Sequence, residues 1–225
     1  MTVQLAISTV SREFSSSGIH PWTEPSCDDD VGAPSLRFEQ DCEIYGEGEE
    51  ATGYYKVVSG VVRTCRFMAD GRRQIDAFHV VGDVFGIEAG SLRSLTAEAV
   101  SDCRIIAYRR QQFDKAGAGA VSVPSQLVTH LLRNFERAQE HAVLLGRRSA
   151  VEKVSAFLLG WARQCSSTGT IALAMTRLDI GDYLGLTIET VSRTLSLLER
   201  DGIIELPSVR QIRVRNLEAL TAFNG

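Results

Sequence analysis

The sequence predicts an α+β protein in three successive parts: a roll of short antiparallel strands, one long amphipathic helix, and a small helical C-terminal domain with a hairpin. Three observations predict it. Residues 38–113 fall into short β-forming runs punctuated by glycine. Val128, Leu131, Phe135, Ala138, Ala142 and Leu145 then recur at alternating three- and four-residue spacing. Residues 176–202 read as two capped helices around one Gly-Leu connection.

At 225 residues the chain has room for one mid-sized and one small domain, and for a real hydrophobic core. A hydrophobic content of 44% and a charged content of 23% are those of a soluble globular protein. The segment MTVQLAISTV lacks a basic start and is too short and mixed for a secretion signal. No apolar run approaches the ~20 residues of a membrane span, so no membrane association is expected. Five cysteines (Cys27, Cys42, Cys65, Cys103 and Cys165) are then expected as reduced thiols.

In chain order, residues 1–35 form a polar, flexible extension with three prolines and Asp28, Asp29 and Asp30, in which Trp22 is either an anchor or a loosely packed aromatic. Residues 36–120 form the roll. Strands are expected over 54–59, 61–67, 74–80, 97–99 and 104–108, with a hairpin turn at Asp70-Gly71 and a break at Gly82-Asp83. Glycines 46, 48, 53, 60, 71, 82 and 86 suit its tight corners. Residues 121–147 hold the long helix, starting near Ser125 just after Pro124. A helix of ~22 residues spans about 33 Å. Its apolar stripe fits either intramolecular core or a partner helix, and small Ala138 and Ala142 allow close approach of a second helix. Gly146 marks a hinge, and residues 148–225 make the last domain, beginning with a helix over 150–164 that turns Val154, Phe157, Leu158 and Trp161 inward.

The two helices that follow carry the chemistry. Thr176 and Thr187 stand at N-cap positions before 177–184 and 188–200. On the second helix Glu189, Ser192, Arg193, Ser196 and Arg200 share one face, because successive residues turn by about 100 degrees. Val191, Leu195 and Leu198 fall opposite. One equipped face and one buried face suit a helix laid in the major groove of double-stranded DNA. An arginine fork matches guanine O6 and N7, and a carboxylate accepts from the cytosine amine, so Arg193 and Glu189 can together read one G·C pair. Thr187, Thr190 and Ser192 suit phosphates or bases. The bland alternative is an ordinary i,i+4 ion pair between Glu189 and Arg193. Two short strands, 203–206 and 211–214, then complete a winged helix-turn-helix. Arg210, Arg213 and Arg215 lie on or beside the wing, where they meet phosphates or solvent. The charge balance runs against this reading. Net charge is −4, and across 176–215 six arginines meet six acidic residues. Specificity would therefore rest on base contacts and dimer geometry more than on bulk electrostatics.

The run LGLTIETVSRTLSLLERDGII closely resembles the DNA-binding end of the CRP/FNR superfamily of transcription regulators, and its E-x-x-S-R spacing is the FNR-type variant. YGEGEEATGYYKVVSGVVRT, DGRRQIDAFHVVGDVFG and AEAV extend the resemblance over residues 38–217, most closely to the FixK branch. The resemblance implies a cyclic-nucleotide-binding type of β-roll and a parallel homodimer along the long helix. It also implies a TTGAT half-site in an inverted repeat, contact with RNA polymerase, and control of low-oxygen respiration and nitrogen-fixation genes. A cytoplasmic activator without cofactor, and not an enzyme, is the expectation.

An FNR-type iron–sulfur cluster needs four cysteine thiolates, three of them closely spaced, whereas no two cysteines here are closer than fifteen residues. Covalent haem lacks its C-x-x-C-H signature. CRP-type rolls hold a nucleotide phosphate with a Gly-Glu segment, a short helix and an Arg-Ser pair. This chain has Gly86-Ile87-Glu88 and Arg93-Ser94 with a shorter interval and no room for the helix, and Arg93 reads as a surface-loop arginine. His79 reads as structural. The alternative is a cyclic-nucleotide- or redox-gated activator, with Cys165 beside Arg163 as the redox candidate. A cupin-type metalloenzyme fails on ligand count, since His79 is the one histidine in the roll. A pure interaction module leaves the Glu189/Arg193 face without a purpose.

Overall fold

The computed structural model describes residues 22–23, 34–109, 125–165 and 170–223. Most of the expected N-terminal extension lies outside these residues, as do Cys27, Pro124 and the side chains of Trp22 and Cys165.

Two sheets build the roll. One contains β1 (Trp22–Thr23), β2 (Ser35–Phe38), β4 (Gly53–Ser59), β7 (Val84–Phe85) and β9 (Cys103–Arg109); the other orders β3 (Glu43–Tyr45), β8 (Thr96–Ala99), β5 (Val62–Phe67) and β6 (Arg73–His79). Pairing is antiparallel except between β1 and β9. Val57, Val62, Phe85, Ala97, Ala99, Cys103 and Ile105 close the interior between the sheets. The β5–β6 hairpin turns where Asp70-Gly71 predicts, with the Asp70 carboxylate accepting from the Arg72 N–H at 3.1 Å. Gly60 is compulsory. Its φ is +81°, and a Cβ there would stand 2.3 Å from the Asp102 carbonyl oxygen.

The long helix, α1 (Ser125–Leu145), carries two stripes side by side. Leu127, His130, Asn134, Arg137, His141 and Leu144 turn inward. Arg137 grips Asp83 through both terminal nitrogens, at 2.6 and 2.8 Å, and the Asn134 amide donates to the Val84 carbonyl at 2.8 Å. The apolar seam read from the sequence lies one position further on and faces out.

Beyond a four-residue connector come α2 (Ala150–Cys165), β10 (Thr170–Ala172), α3 (Arg177–Leu184), α4 (Ile188–Arg200), β11 (Ile204–Ser208), β12 (Gln211–Val214) and α5 (Leu217–Ala222). The wing has three strands rather than the expected two, because β10 pairs with β12. The short α5, capped by Asn216, was not anticipated either. One apolar cluster runs without a break from Cys65, Ile75 and Phe78 of the roll into Phe157, Trp161, Ile180 and Leu195. The hairpin domain is therefore docked onto the roll, with α3 against β6.

Candidate nucleic-acid interface

Local chemistry defines the helix pair sharply. The Thr176 hydroxyl accepts from the Asp179 N–H at 3.1 Å, and the Asp179 carboxylate accepts from the Thr176 N–H at 2.9 Å, a reciprocal capping box. Gly185 ends α3 in the left-handed conformation. Gly181 lets the turn press against its helix, since a Cβ there would sit 2.6 Å from the Leu186 carbonyl oxygen. Thr187 then caps α4 by accepting from the Thr190 N–H at 3.2 Å. Val191, Thr194, Leu195 and Leu198 are buried beneath α4. The two helices form one rigid piece.

The outer face of α4 is free. Glu189, Arg193, Ser196 and Arg200 are exposed, and Thr190 and Ser192 are half-buried beside them. The i,i+4 ion pair does not form: among the described residues no salt bridge or hydrogen bond joins Arg193 to any group of the chain. Glu189 instead folds back on its own helix start. Its own backbone N–H, then the Thr187 hydroxyl and more weakly the Arg193 charge, hold its carboxyl below the usual range. It is an acceptor in the ionised form. Arg200 lies 3.5 Å from Asp201, both well exposed.

On the wing, Arg213 and Arg215 share Glu205, the former at 3.2 Å, and Arg210 donates to the Ala174 carbonyl at 3.0 Å. All three remain at the surface. The unfavourable charge count needs correction. Asp179 and Asp182 face the roll, not DNA: Arg73 binds Asp179 at 2.5 Å and Asp182 at 2.8 Å, and Arg63 binds Asp179 at 3.2 Å. Two of the six acids of this segment are thus neutralised from within, by arginines more than a hundred residues away in the chain.

Along α1, Val128, Leu131, Phe135, Ala138, Ala142 and Leu145 are all exposed, Phe135 at 59%. Leu132 and Val143 widen the stripe and were missed by the strict seam. The exposed apolar band runs the length of α1.

The roll's candidate phosphate site is arranged differently from the expectation. Arg93 is 3% exposed, not a surface-loop residue. Its terminal nitrogens donate to the Gly86 carbonyl at 2.5 Å and the Gly53 carbonyl at 2.8 Å, and its guanidinium lies 4.2 Å from the centre of the Tyr45 ring. The neighbouring Glu88 accepts from the Ser94 N–H and hydroxyl at 3.0 and 2.9 Å. No helix forms between Gly86 and Arg93. A cleft of about 780 Å³ opens beside this group, lined by the roll, α1 and the last domain, with Tyr45, Phe85, Leu131 and Tyr183 among its walls.

His79 is structural in its surroundings. It is buried, stacked on Phe85, with Nε2 3.1 Å from the Thr64 hydroxyl, and burial pushes its pKa down to about 4. Burial pushes the Cys65 thiol up to about 12 and the Cys103 thiol up to about 11, far from a sensor thiolate. Among the described residues no His/Cys/Asp/Glu cluster is fit to hold a metal ion, and no helix is long and apolar enough to cross a membrane.

Residues 35–118 match the cyclic nucleotide-binding domain family, and residues 152–223 match the Crp-like helix-turn-helix domain family. The chain is 46% identical over 196 residues to the nitrogen fixation regulation protein FixK of Azorhizobium caulinodans, covering 84% of this chain and 78% of that protein. It is 38% identical over 178 residues to the protein of the same name from Rhizobium meliloti, covering 79% and 81%. In structure it resembles FixK2 from Bradyrhizobium japonicum, with a TM-score of 0.79 and 44% identity over 85% of this chain and 97% of that one.

Proposed function

This chain belongs to the FixK-like branch of the CRP/FNR family of transcription regulators, and on that premise we propose that it is a homodimeric, sequence-specific DNA-binding activator working in the cytoplasm. Its target on this reading is a TTGAT-N4-ATCAA-like inverted repeat in front of genes for low-oxygen respiration and nitrogen fixation, where it meets RNA polymerase. It needs no bound effector and catalyses no reaction. The corresponding division of the chain is an extension (1–35), the roll (36–120), the dimerisation helix (121–147) and the DNA-binding domain (148–225).

The observation that carries the reading is the outer face of α4, where Arg193 points from a rigid, buried scaffold with no hydrogen-bond or ion-pair partner among the described residues. Arg193 and Glu189 read the G·C pair; Thr187, Thr190, Ser192, Ser196 and Arg200 support them, and Arg210 and Arg213 approach phosphates. The uncovered band on α1 supports the dimer, through Val128, Leu131, Phe135, Ala138, Ala142 and Leu145. Independence from a cyclic nucleotide is supported by Arg93, whose hydrogen bonds are directed at the roll's own carbonyls.

The test is a titration at fixed salt, in air and without additives. A TTGAT–four-base–ATCAA duplex is compared with one carrying a substituted G·C pair. Tight binding that discriminates by about tenfold or more is expected. Equal, weak binding to both duplexes sinks effector independence and favours a nucleotide- or redox-gated protein. For the dimer, Phe135→Asp is expected to shift sedimentation from dimer to monomer; a dimer that persists unchanged moves the interface off α1.

A further inference from the structure

We infer that the β-roll sets the half-site spacing this protein accepts, through a buried ion network that clamps the first helix of the helix-turn-helix to the roll. The inference rests on the dimeric DNA-binding reading above. Only the connector 146–149 joins α1 to α2, and Gly146 within it is exposed. A connector of this kind leaves the domain free to swing, so its orientation depends on what else it touches.

Beside hydrogen-bond contacts to the Tyr183 carbonyl, with His141 Nε2 of α1 at 2.8 Å and Gln74 Nε2 of β6 at 3.5 Å, two broader kinds of contact hold α3 and its neighbours in place. Phe78 of β6 packs against Phe157, Trp161 and Tyr183 at ring-centre distances of 5.4 to 6.4 Å. Apolar contacts of this sort hold surfaces together but tolerate sliding. The ion network does not. Arg73 spans one turn of α3 with a fork, its Nε donating to Asp182 at 2.9 Å and its Nη2 to Asp179 at 2.5 Å. Arg63 donates from Nη1 to the same Asp179 oxygen at 3.2 Å and from Nε to Glu98 at 2.7 Å, which ties both arginines to β8. Planar guanidinium forks fix direction as well as distance. Asp179 is also the capping-box residue of α3, so the group that starts the helix is the group that docks it. Because Gly181 lets the turn and the start of α4 press against α3, holding α3 on the roll aims α4.

In a two-fold dimer the angle and separation of the two α4 helices then follow from the rolls. One extra base pair between half-sites moves them apart by about 3.4 Å and turns them by about 35 degrees. A clamped domain rejects that change; a loosened one follows it.

The experiment uses the full chain and duplexes with spacers of three, four and five bases, plus a lone half-site. Wild type is compared with Arg73→Gln, Asp182→Asn and the double variant. Wild type is expected to favour one spacer by about tenfold or more, and each variant to narrow this to about threefold or less with half-site affinity unchanged. Since the Asp182 contact is one arm of the Arg73 fork, the double variant should match Arg73→Gln. Should Arg73→Gln misfold, Asp182→Asn alone decides, because its side chain is less buried. Folded variants that keep the wild-type spacer preference overturn the inference, and so does an equal loss on every duplex including the half-site. A wild type that binds none of the duplexes removes the DNA-binding reading and the inference with it.

Discussion

Arg93 and Arg193 bring the same side chain into opposite circumstances. Arg93 lies inside the roll, donating to two backbone carbonyls and stacked over Tyr45. Arg193 stands on the outer face of α4 with no hydrogen bond or salt bridge to its own chain among the described residues. Both sit where the family resemblance marks a ligand contact. In the roll the chain itself takes up the arginine's terminal donors, while its buried Nε has no partner among the described residues; on α4 none of the arginine's donors is taken up within the described residues. An unanswered donor held by a rigid helix is a stronger sign of function than a matching residue type, because the rigid helix has already borne the ordering cost.

Three experiments test that contrast, from the largest expected effect downward. Replacing Arg193 by Ala should weaken binding to the inverted repeat by roughly 1–3 kcal/mol per half-site, counted twice in a dimer, and relax discrimination at the G·C pair. Duplex titration reads this, and unchanged promoter affinity would remove α4 as the reader. Arg93→Ala should instead act on folding. It unpairs the Gly53 and Gly86 carbonyls and empties the space above Tyr45, lowering stability by about 3 kcal/mol in denaturant unfolding. Calorimetry with cyclic AMP should show no saturable binding before or after the change; saturable binding to wild type would make Arg93 a movable ligand group and erase the contrast.

His79 extends the comparison to protons. Its folded pKa of about 4 lies below the ordinary 6.5, so between these values the unfolded chain binds the proton more readily. The contribution of neutral His79 is complete above pH 6.5 and drains away as pH falls toward 4, by up to about 3 kcal/mol. Unfolding midpoints measured from pH 7 to 4 should fall, and His79→Gln should flatten that part of the slope. An identical slope in the variant would assign the acid sensitivity elsewhere.

What could be read in the sequence follows the range of the interactions. Helices α3 and α4, with caps at Thr176 and Thr187, are legible to the residue because capping is settled within four positions. The hairpin at Asp70-Gly71 is legible for the same reason. Strand β10 is not: three residues become a strand only by pairing with β12, forty residues on. Arg93 was misread because Gly53, lying forty residues away, is one of the carbonyls that bury it. The inward-facing stripe of α1 is mostly polar, and its partner Asp83 is 54 residues distant, so periodicity showed only the apolar seam beside it. The charge balance misled in the same way, since Asp179 finds its arginine 106 residues upstream.

The aromatic contact between roll and C-terminal domain also gives the molecule an optical gauge. Trp161 is one of two tryptophans in the chain; it sits edge-on to Phe78 at 5.9 Å, with its indole N–H held by the Ala172 carbonyl at 3.0 Å. The residue is 5% exposed, with Phe78 of the roll forming part of its cover. Emission from Trp161 should therefore shift to the red when the domain lifts from the roll, even if each part stays folded, so separation and unfolding can be told apart by colour against circular dichroism in a single sample.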